Sequence, residues 1–371
     1  MTNRKGLEGV VAAQTSISDI DGQKGKLYYA GYDIADLAAH ATFEETVYLL
    51  HHRELPTRQQ LEDTAAALRG SSALDDFLVG LISSIAGRTV PMTVLRTAIS
   101  AAAALDPDDD SPESNLRKAY RLMAKTPQVV ATYQRLRSGR QAVPAREDLG
   151  VAANFLYALT GTEPDPGVAR DFDVVLVLYA DHTMNASTFA GRVAAATLAD
   201  MYAAATAALA TLQGPLHGGA IEQVRHMLDE IGDADRAAEW VRGRLGRKQK
   251  VMGFGHRVYR TWDPRATILR DMAERLGKQA GETRWYDISA RIQETVMEEK
   301  GLYPNVDFYT ASVYSALGIP PDLYTCLFAS SRMAGWTAHV REQYADNRLI
   351  RPDSEYIGPA PRDWRPLDAR G

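Results

Sequence analysis

From Thr42 onward the sequence keeps offering helix starts and hardly ever a strand, and this limits the fold more than any other feature. Thr42 with Glu45 and Thr57 with Gln60 have capping-box spacing, in which two side chains and two backbone N–H groups satisfy one another at a helix start. Behind the first, Phe43, Val47 and Leu50 recur at helical spacing. Behind the second, Leu61, Ala65 and Leu68 form one apolar face that stops at Gly70. Further helical patterns run over 114–125, 127–136, 147–159, 222–231, 234–245, 264–276, 286–299 and 323–339. The only convincing strands, 18–20 and 26–29, flank an Asp21-Gly22 turn. The expected fold class is therefore all-α, with a small N-terminal β-hairpin.

Two apolar stretches need arbitration. Residues 173–179, D-V-V-L-V-L-Y, pass by periodicity for a buried strand or a buried helix. Strands alternate with helices nowhere else, so a helix is expected. Residues 193–212 are mostly small and contain Asp200, which reads as a buried helix rather than a membrane span. Residues 106–113 have two prolines and three consecutive aspartates but lack the ligand spacing of a calcium loop, so an exposed turn is expected.

At 371 residues the chain exceeds the usual size of one core, and two domains are expected. Q-G-P-L-H-G-G at 213–219 breaks the helical run, a more charged block follows, and Pro320-Pro321 closes it. The proline-rich tail from Arg348 is expected to be disordered or draped over another surface. A net charge of -5 gives no reason for a nucleic-acid partner. Cys326, the sole cysteine, excludes an intrachain disulfide and a cysteine metal cage and reads as core filling. Residues 1–9 are polar and lack the apolar run of a secretory signal, so a cytoplasmic protein without a membrane partner is expected.

The chemistry concentrates in residues 251–266, V-M-G-F-G-H-R-V-Y-R-T-W-D-P-R-A, where His256 follows a Gly253-Phe254-Gly255 turn and Arg257, Arg260 and Arg265 lie close by. From Arg242 to Arg265 there are eight basic residues against the single Asp263, a strip suited to a phosphate-bearing ligand. His182 after Asp181, His217 between Leu216 and Gly218, Asp307 in P-N-V-D-F-Y, and Arg332 in S-S-R-M-A-G-W complete the set. Each has a bland reading: Asp307 as a helix cap, Arg332 as a surface charge. Together they suit carbon-acid chemistry, with neutral imidazoles as donors, one carboxylate as base and guanidinium groups gripping carboxylates. No H-E-x-x-H or Cys-His cluster supports a metal site, and Val258 breaks the glycine fingerprint of dinucleotide binding. A metallohydrolase with scattered ligands and a non-catalytic helical binding protein stay open as alternatives.

The chain resembles the citrate synthases. The specific blocks are D-H-T-M-N-A-S-T-F-A at 181–190, G-P-L-H-G-G-A at 214–220, G-F-G-H-R-V-Y-R with D-P-R-A within 253–266, P-N-V-D-F-Y at 304–309, R-M-A-G-W-x-A-H at 332–339 and R-P at 351–352. The resemblance implies a large helical domain, 1–217 with 322–371, and a small one, 218–321. It implies a homodimer in which Arg351 completes the partner's site. By position, Asp307 resembles the base that deprotonates acetyl-CoA, His217 the donor to the enolate oxygen and His256 the group that polarises oxaloacetate. His182, Arg265 and Arg332 resemble the keto-acid binding residues. Lys248, Lys250, Val251, Gly253, Phe254, Gly255 and Arg260 are expected on the coenzyme A side, with the thioester as co-substrate, no tightly bound cofactor and no metal. Methylcitrate synthase, using propionyl-CoA, is the near alternative. Many members of that family carry Asn where this chain has Ile221, which puts one local hydrogen bond in doubt.

Overall fold

The computed structural model describes residues 5–7 and 9–370, so most of the 1–9 stretch read for a secretory signal lies outside the described residues. Among the described residues there are sixteen α-helices and one small antiparallel sheet. The hairpin pairs Ser18–Asp21 with Lys26–Tyr29, Ser18 opposite Tyr29. A two-residue third strand, Tyr32–Asp33, extends it, because Ala30 and Gly31 both take positive φ and turn the chain straight back. Two residues are too few for periodicity to register.

Both capping boxes form, at Thr42 with Glu45 and Thr57 with Gln60. Pro166–Tyr179 is a helix, with Asp165 capping it and Pro166 in the first turn, where its missing N–H costs nothing. The 147–159 pattern starts late, as Val151–Thr160, and ends on Gly161 at φ 86. The exposed turn ends early: Ser111 caps a helix that opens with Pro112. Its aspartates pair with Arg117, Lys118 and Arg121.

Two expectations are corrected. The segments 114–125 and 127–136 are one helix, Pro112–Arg137, that runs through Pro127. An interior proline costs about 3 kcal/mol, but every residue from 126 to 133 is buried, and that packing holds the helix together. Conversely, the expected helix 193–212 is two, Ala186–Ala196 and Met201–Leu212. Leu198 at φ 62 breaks the first, and Asp200 caps the second by accepting from the N–H groups of Tyr202 and Ala203. The polar residue that argued against a membrane span is a helix start. No helix among the described residues is long and apolar enough to cross a membrane.

Tyr324–Ala345 is the hub, and every residue from 324 to 340 is buried, Cys326 included. Helices Pro112–Arg137, Pro166–Tyr179, Ala186–Ala196 and Met201–Leu212 pack around it. A helix covered on all sides carries any polar group it contains into the interior, and Arg332 and His339 are carried there. Ala220–Ile231, Ala234–Gly246, Pro264–Ala280, Arg284–Lys300 and Val306–Ala316 pack mainly on one another. Residues 351–370 are exposed throughout, with Tyr356, Ile357 and Trp364 uncovered.

The glycine turn has a defined architecture. Gly253 O accepts from Asn305 N–H at 2.9 Å and Gly255 N–H donates to Tyr303 O at 3.0 Å, with Phe254 bridged antiparallel to Pro304. Gly253 sits at φ 81, and a Cβ there would lie 2.7 Å from the Phe308 ring; Gly255 sits at φ 78 with open space around it. Gly253→Ala therefore combines backbone strain with overpacking and is expected to cost about 3 kcal/mol. Gly255→Ala carries the strain alone. Denaturant melts of the two variants check this, and equal losses would assign the whole cost to the backbone.

Candidate active site

A cavity of about 740 Å³ opens between the hub helix and the Val306–Ala316 helix. It is lined by His182, His217, His256, Arg265, Asp307 and Arg332, so six residues spread over 151 positions of sequence converge on one space. Gly255 also lines it, whereas Val251, Gly253 and Phe254 do not, Val251 and Gly253 being buried and Phe254 half-buried. Lys248, Lys250, Arg260 and Arg351 are exposed and lie outside the cavity, Arg351 being 3.4 Å from Asp353.

Asp307 is not the helix cap. Asn305 caps, its Oδ1 accepting from Asp307 N–H at 3.1 Å, and its amide donates to Gly255 O at 3.2 Å. The Asp307 carboxylate is thereby left facing the cavity, three residues past the Phe254–Pro304 bridge that also anchors the His256 turn. Tyr179 Oη lies 3.0 Å from Asp307 Oδ1 and 2.9 Å from Thr310 Oγ1. Its single proton goes to the carboxylate when that is charged. Burial raises Asp307 to about 6, with Tyr179, Arg265 and Arg332 opposing the rise. A base poised near neutrality suits proton abstraction.

The histidine tautomers follow from their neighbours. His256 Nδ1 accepts from the backbone N–H groups of Val258 at 3.0 Å and Tyr259 at 3.1 Å. A backbone N–H can only donate, so the ring proton is on Nε2. His217 is the mirror case: Nε2 accepts from Ser187 N–H at 3.3 Å and lies 2.8 Å from Ser187 Oγ, which leaves the proton on Nδ1. Burial lowers both to about 4, helped by Arg332 at His217 and by Arg265 at His256. His182, 5.2 Å ring to ring from His256, is pushed well below its ordinary value by burial, then by Arg265 and His256. All three are neutral donors at physiological pH.

The two arginines differ. Arg265 is locked to Asp263, Nη2 to Oδ2 at 2.8 Å and Nε to Oδ1 at 3.0 Å, and despite burial this partner holds its charge firmly. Arg332 is 2% exposed, donates through Nε to Tyr179 O at 2.8 Å and stacks 4.7 Å from the Phe328 ring centre. No ion pair to it forms among the described residues. A buried guanidinium without an acidic partner is costly, and an anionic ligand in the cavity would remove that cost.

Sequence reasoning missed the supports: Tyr179, Ser187, Asp263 and Asn305 act through contacts made only in the fold. Ser187, Asp263 and Asn305 lie inside motifs already noted and were the three within reach. Arg257, noted beside His256 but given no role, lines the cavity. Among the described residues no three His, Cys, Asp or Glu side chains group as metal ligands would.

A carboxylate of raised proton affinity, sharing a cavity with neutral imidazoles and guanidinium charge, suits an enzyme that forms a carbanion next to an anionic co-substrate. Comparison with known proteins makes the class specific. The family model "Citrate synthase, C-terminal domain" matches residues 6–353. Citrate synthase 2 of Bacillus subtilis is 50% identical over all of both chains, and the citrate synthase of Haloferax volcanii is 49% identical over 99% of each. The 2-methylcitrate synthase of Mycobacterium tuberculosis is 42% identical over 96% of this chain and 90% of its own. Among solved structures, citrate synthase from Pyrobaculum aerophilum superimposes with a TM-score of 0.93 at 40% identity, covering 98% of this chain and 95% of that one. The Thermoplasma acidophilum enzyme, solved with carboxymethyl coenzyme A and oxaloacetate, gives 0.92 at 35% identity, with 99% of each chain covered. This chain belongs to the citrate synthase family.

Proposed function

We propose that the chain condenses acetyl-CoA with oxaloacetate and hydrolyses the resulting citryl-CoA to citrate and coenzyme A. The observation that carries this is the pairing of Asp307 with two imidazoles of opposite, backbone-fixed tautomers. Asp307 takes a methyl proton from the thioester while His217 Nδ1–H donates to the thioester oxygen as it becomes an enolate. A carboxylate is too weak a base to ionise a thioester unaided, so the preorganised donor lowers the barrier, by about 3 kcal/mol for one such contact. His256 Nε2–H polarises the ketone of oxaloacetate. The enolate carbon attacks that carbonyl, and His256 gives its proton to the new alkoxide. Water then cleaves the thioester.

His182, Arg265 and Arg332 hold the keto acid, joined by Arg351 from a second copy of the chain. The exposed tail that carries Arg351 supports a homodimer built this way. Residues 218–321 form a small domain bearing Asp307 and the coenzyme A side, where backbone groups of Val251, Gly253, Phe254 and Gly255 meet the adenine end of the thioester co-substrate and Lys248, Lys250 and Arg260 its phosphates. The remainder, 1–217 with 322–371, forms the large domain. The enzyme works in the cytoplasm without a metal.

Release of free thiol from acetyl-CoA in the presence of oxaloacetate is the expected result, read with a thiol reagent; no release overturns the function. A relative named 2-methylcitrate synthase at 42% identity keeps propionyl-CoA as a second reading. One methylene is worth about 1–3 kcal/mol in an apolar pocket. A higher kcat/KM for propionyl-CoA than for acetyl-CoA would assign the chain to 2-methylcitrate formation.

A further inference from the structure

Two motif residues have no part in the reaction just described, yet the fold brings them into contact. Asp181, beside His182, and His339, seven residues beyond Arg332, are both 0% exposed. His339 Nε2 lies 3.3 Å and 3.4 Å from the two Asp181 oxygens. Its Nδ1 is 3.2 Å from Arg192 Nη1. A guanidinium only donates, so Nδ1 accepts and the ring proton sits on Nε2, facing Asp181. Arg192 is itself fixed, by Glu342 at 2.6 Å and Gln343 at 3.0 Å.

The Asp181 carboxylate looks back on the turn that carries His182. Its Oδ2 accepts from Ser18 Oγ and, at 3.0 Å, from the N–H of Thr183, a non-glycine residue held at φ 51. Gly335 is pressed against the same turn: its N–H donates to Ala180 O at 3.0 Å, and a Cβ there would lie 2.3 Å from Asp181 Oδ1. Burial weakens the charge of Arg332, and Asp181 is the main group opposing that loss.

We infer that Asp181, locked by His339, is a positioning residue for the keto-acid substrate: it fixes the strained turn that presents His182. The inference rests on the assignment of His182 to oxaloacetate. It predicts an effect confined to that substrate, because neither Asp181 nor His339 lines the cavity.

The test compares His339→Gln, whose amide keeps an N–H near the Nε2 position, with His339→Leu, which removes it; Ser18→Ala is a milder variant from the other side of the carboxylate. His339→Leu is expected to raise the oxaloacetate KM about tenfold, the scale of one buried hydrogen bond to a charge. KM for acetyl-CoA should stay within about twofold, His339→Gln near the parent, and Ser18→Ala between the two. Calorimetric titration with oxaloacetate alone should show the same ranking, which separates binding from turnover. Equal movement of both KM values, or equal behaviour of the Gln and Leu variants, overturns the inference. Should His339→Leu not fold, an oxaloacetate KM unchanged in Ser18→Ala overturns it. An inactive parent chain would instead overturn the proposed function.

Discussion

Asp307→Asn is expected to lower kcat about a thousandfold, the scale of a lost general base, while making the fold more stable at pH 8. Both effects have one cause. The fold raises the carboxyl from 3.8 to about 6, mainly by burial, so the folded state binds this proton more tightly than the unfolded chain does. Ionised, the group opposes folding. That cost is absent below about pH 3.8, grows between there and about 6, and is fully present above. It amounts to at most about 3 kcal/mol, and the edge of the carboxylate that meets the cavity reduces it. The amide has no charge to desolvate and can still accept from Tyr179. Denaturant melts at pH 8 and pH 4 should show the variant ahead at the first and level at the second, and a variant less stable at pH 8 would contradict the burial argument. In the parent, kcat/KM should fall on the acid side with a midpoint near pH 6, as the base takes up its proton.

A crossed ranking is expected at the two donor histidines. Asparagine places its amide nitrogen near the position of imidazole Nδ1, and glutamine near Nε2. His217 donates from Nδ1 and His256 from Nε2, so His217→Asn should retain more kcat than His217→Gln, and His256→Gln more than His256→Asn. Alanine at either position should cost about a hundredfold to a thousandfold, the range of one preorganised donor at a developing oxyanion. The contrast rests on backbone N–H groups, which can only donate, and so fixes the ring protons without placing them by assumption. The same residue winning at both sites would show that one tautomer is misassigned.

The helical class, many of the helices and six converging site residues were legible in the sequence, for different reasons, whereas Ile34–His40, Asp76–Ile85 and Pro91–Ala102 were not read from it. Helices such as Phe43–His52 and Arg58–Gly70 announce themselves through caps and spacing, both of which are local. The continuity of Pro112–Arg137 through Pro127 was not legible, because tertiary packing outweighs a local breaker. The site residues lie in motifs whose odd composition, glycine and histidine among apolar neighbours, marks placement rather than packing. Their tautomers and the raised affinity of Asp307 for its proton were beyond the sequence. Burial in the assembled fold raises Asp307, Ser187 on another helix fixes the ring of His217, and the folded turn brings the Val258 and Tyr259 N–H groups to His256.

The stitching of the glycine turn to residues 303–305 also bears on how this enzyme can be rebuilt. His256 and Asp307, the proposed ketone-activating group and the proposed base, hang from the two sides of one short backbone ladder, joined at Gly253, Phe254 and Gly255. Their spacing is a property of that ladder, while His182, His217 and Arg332 are borne by other helices and loops. A chimera that imports the turn from a relative without the matching segment before Val306 would mix two halves of one gauge. For recombination, the two stretches form a single heritable cassette, though about fifty residues of chain separate them.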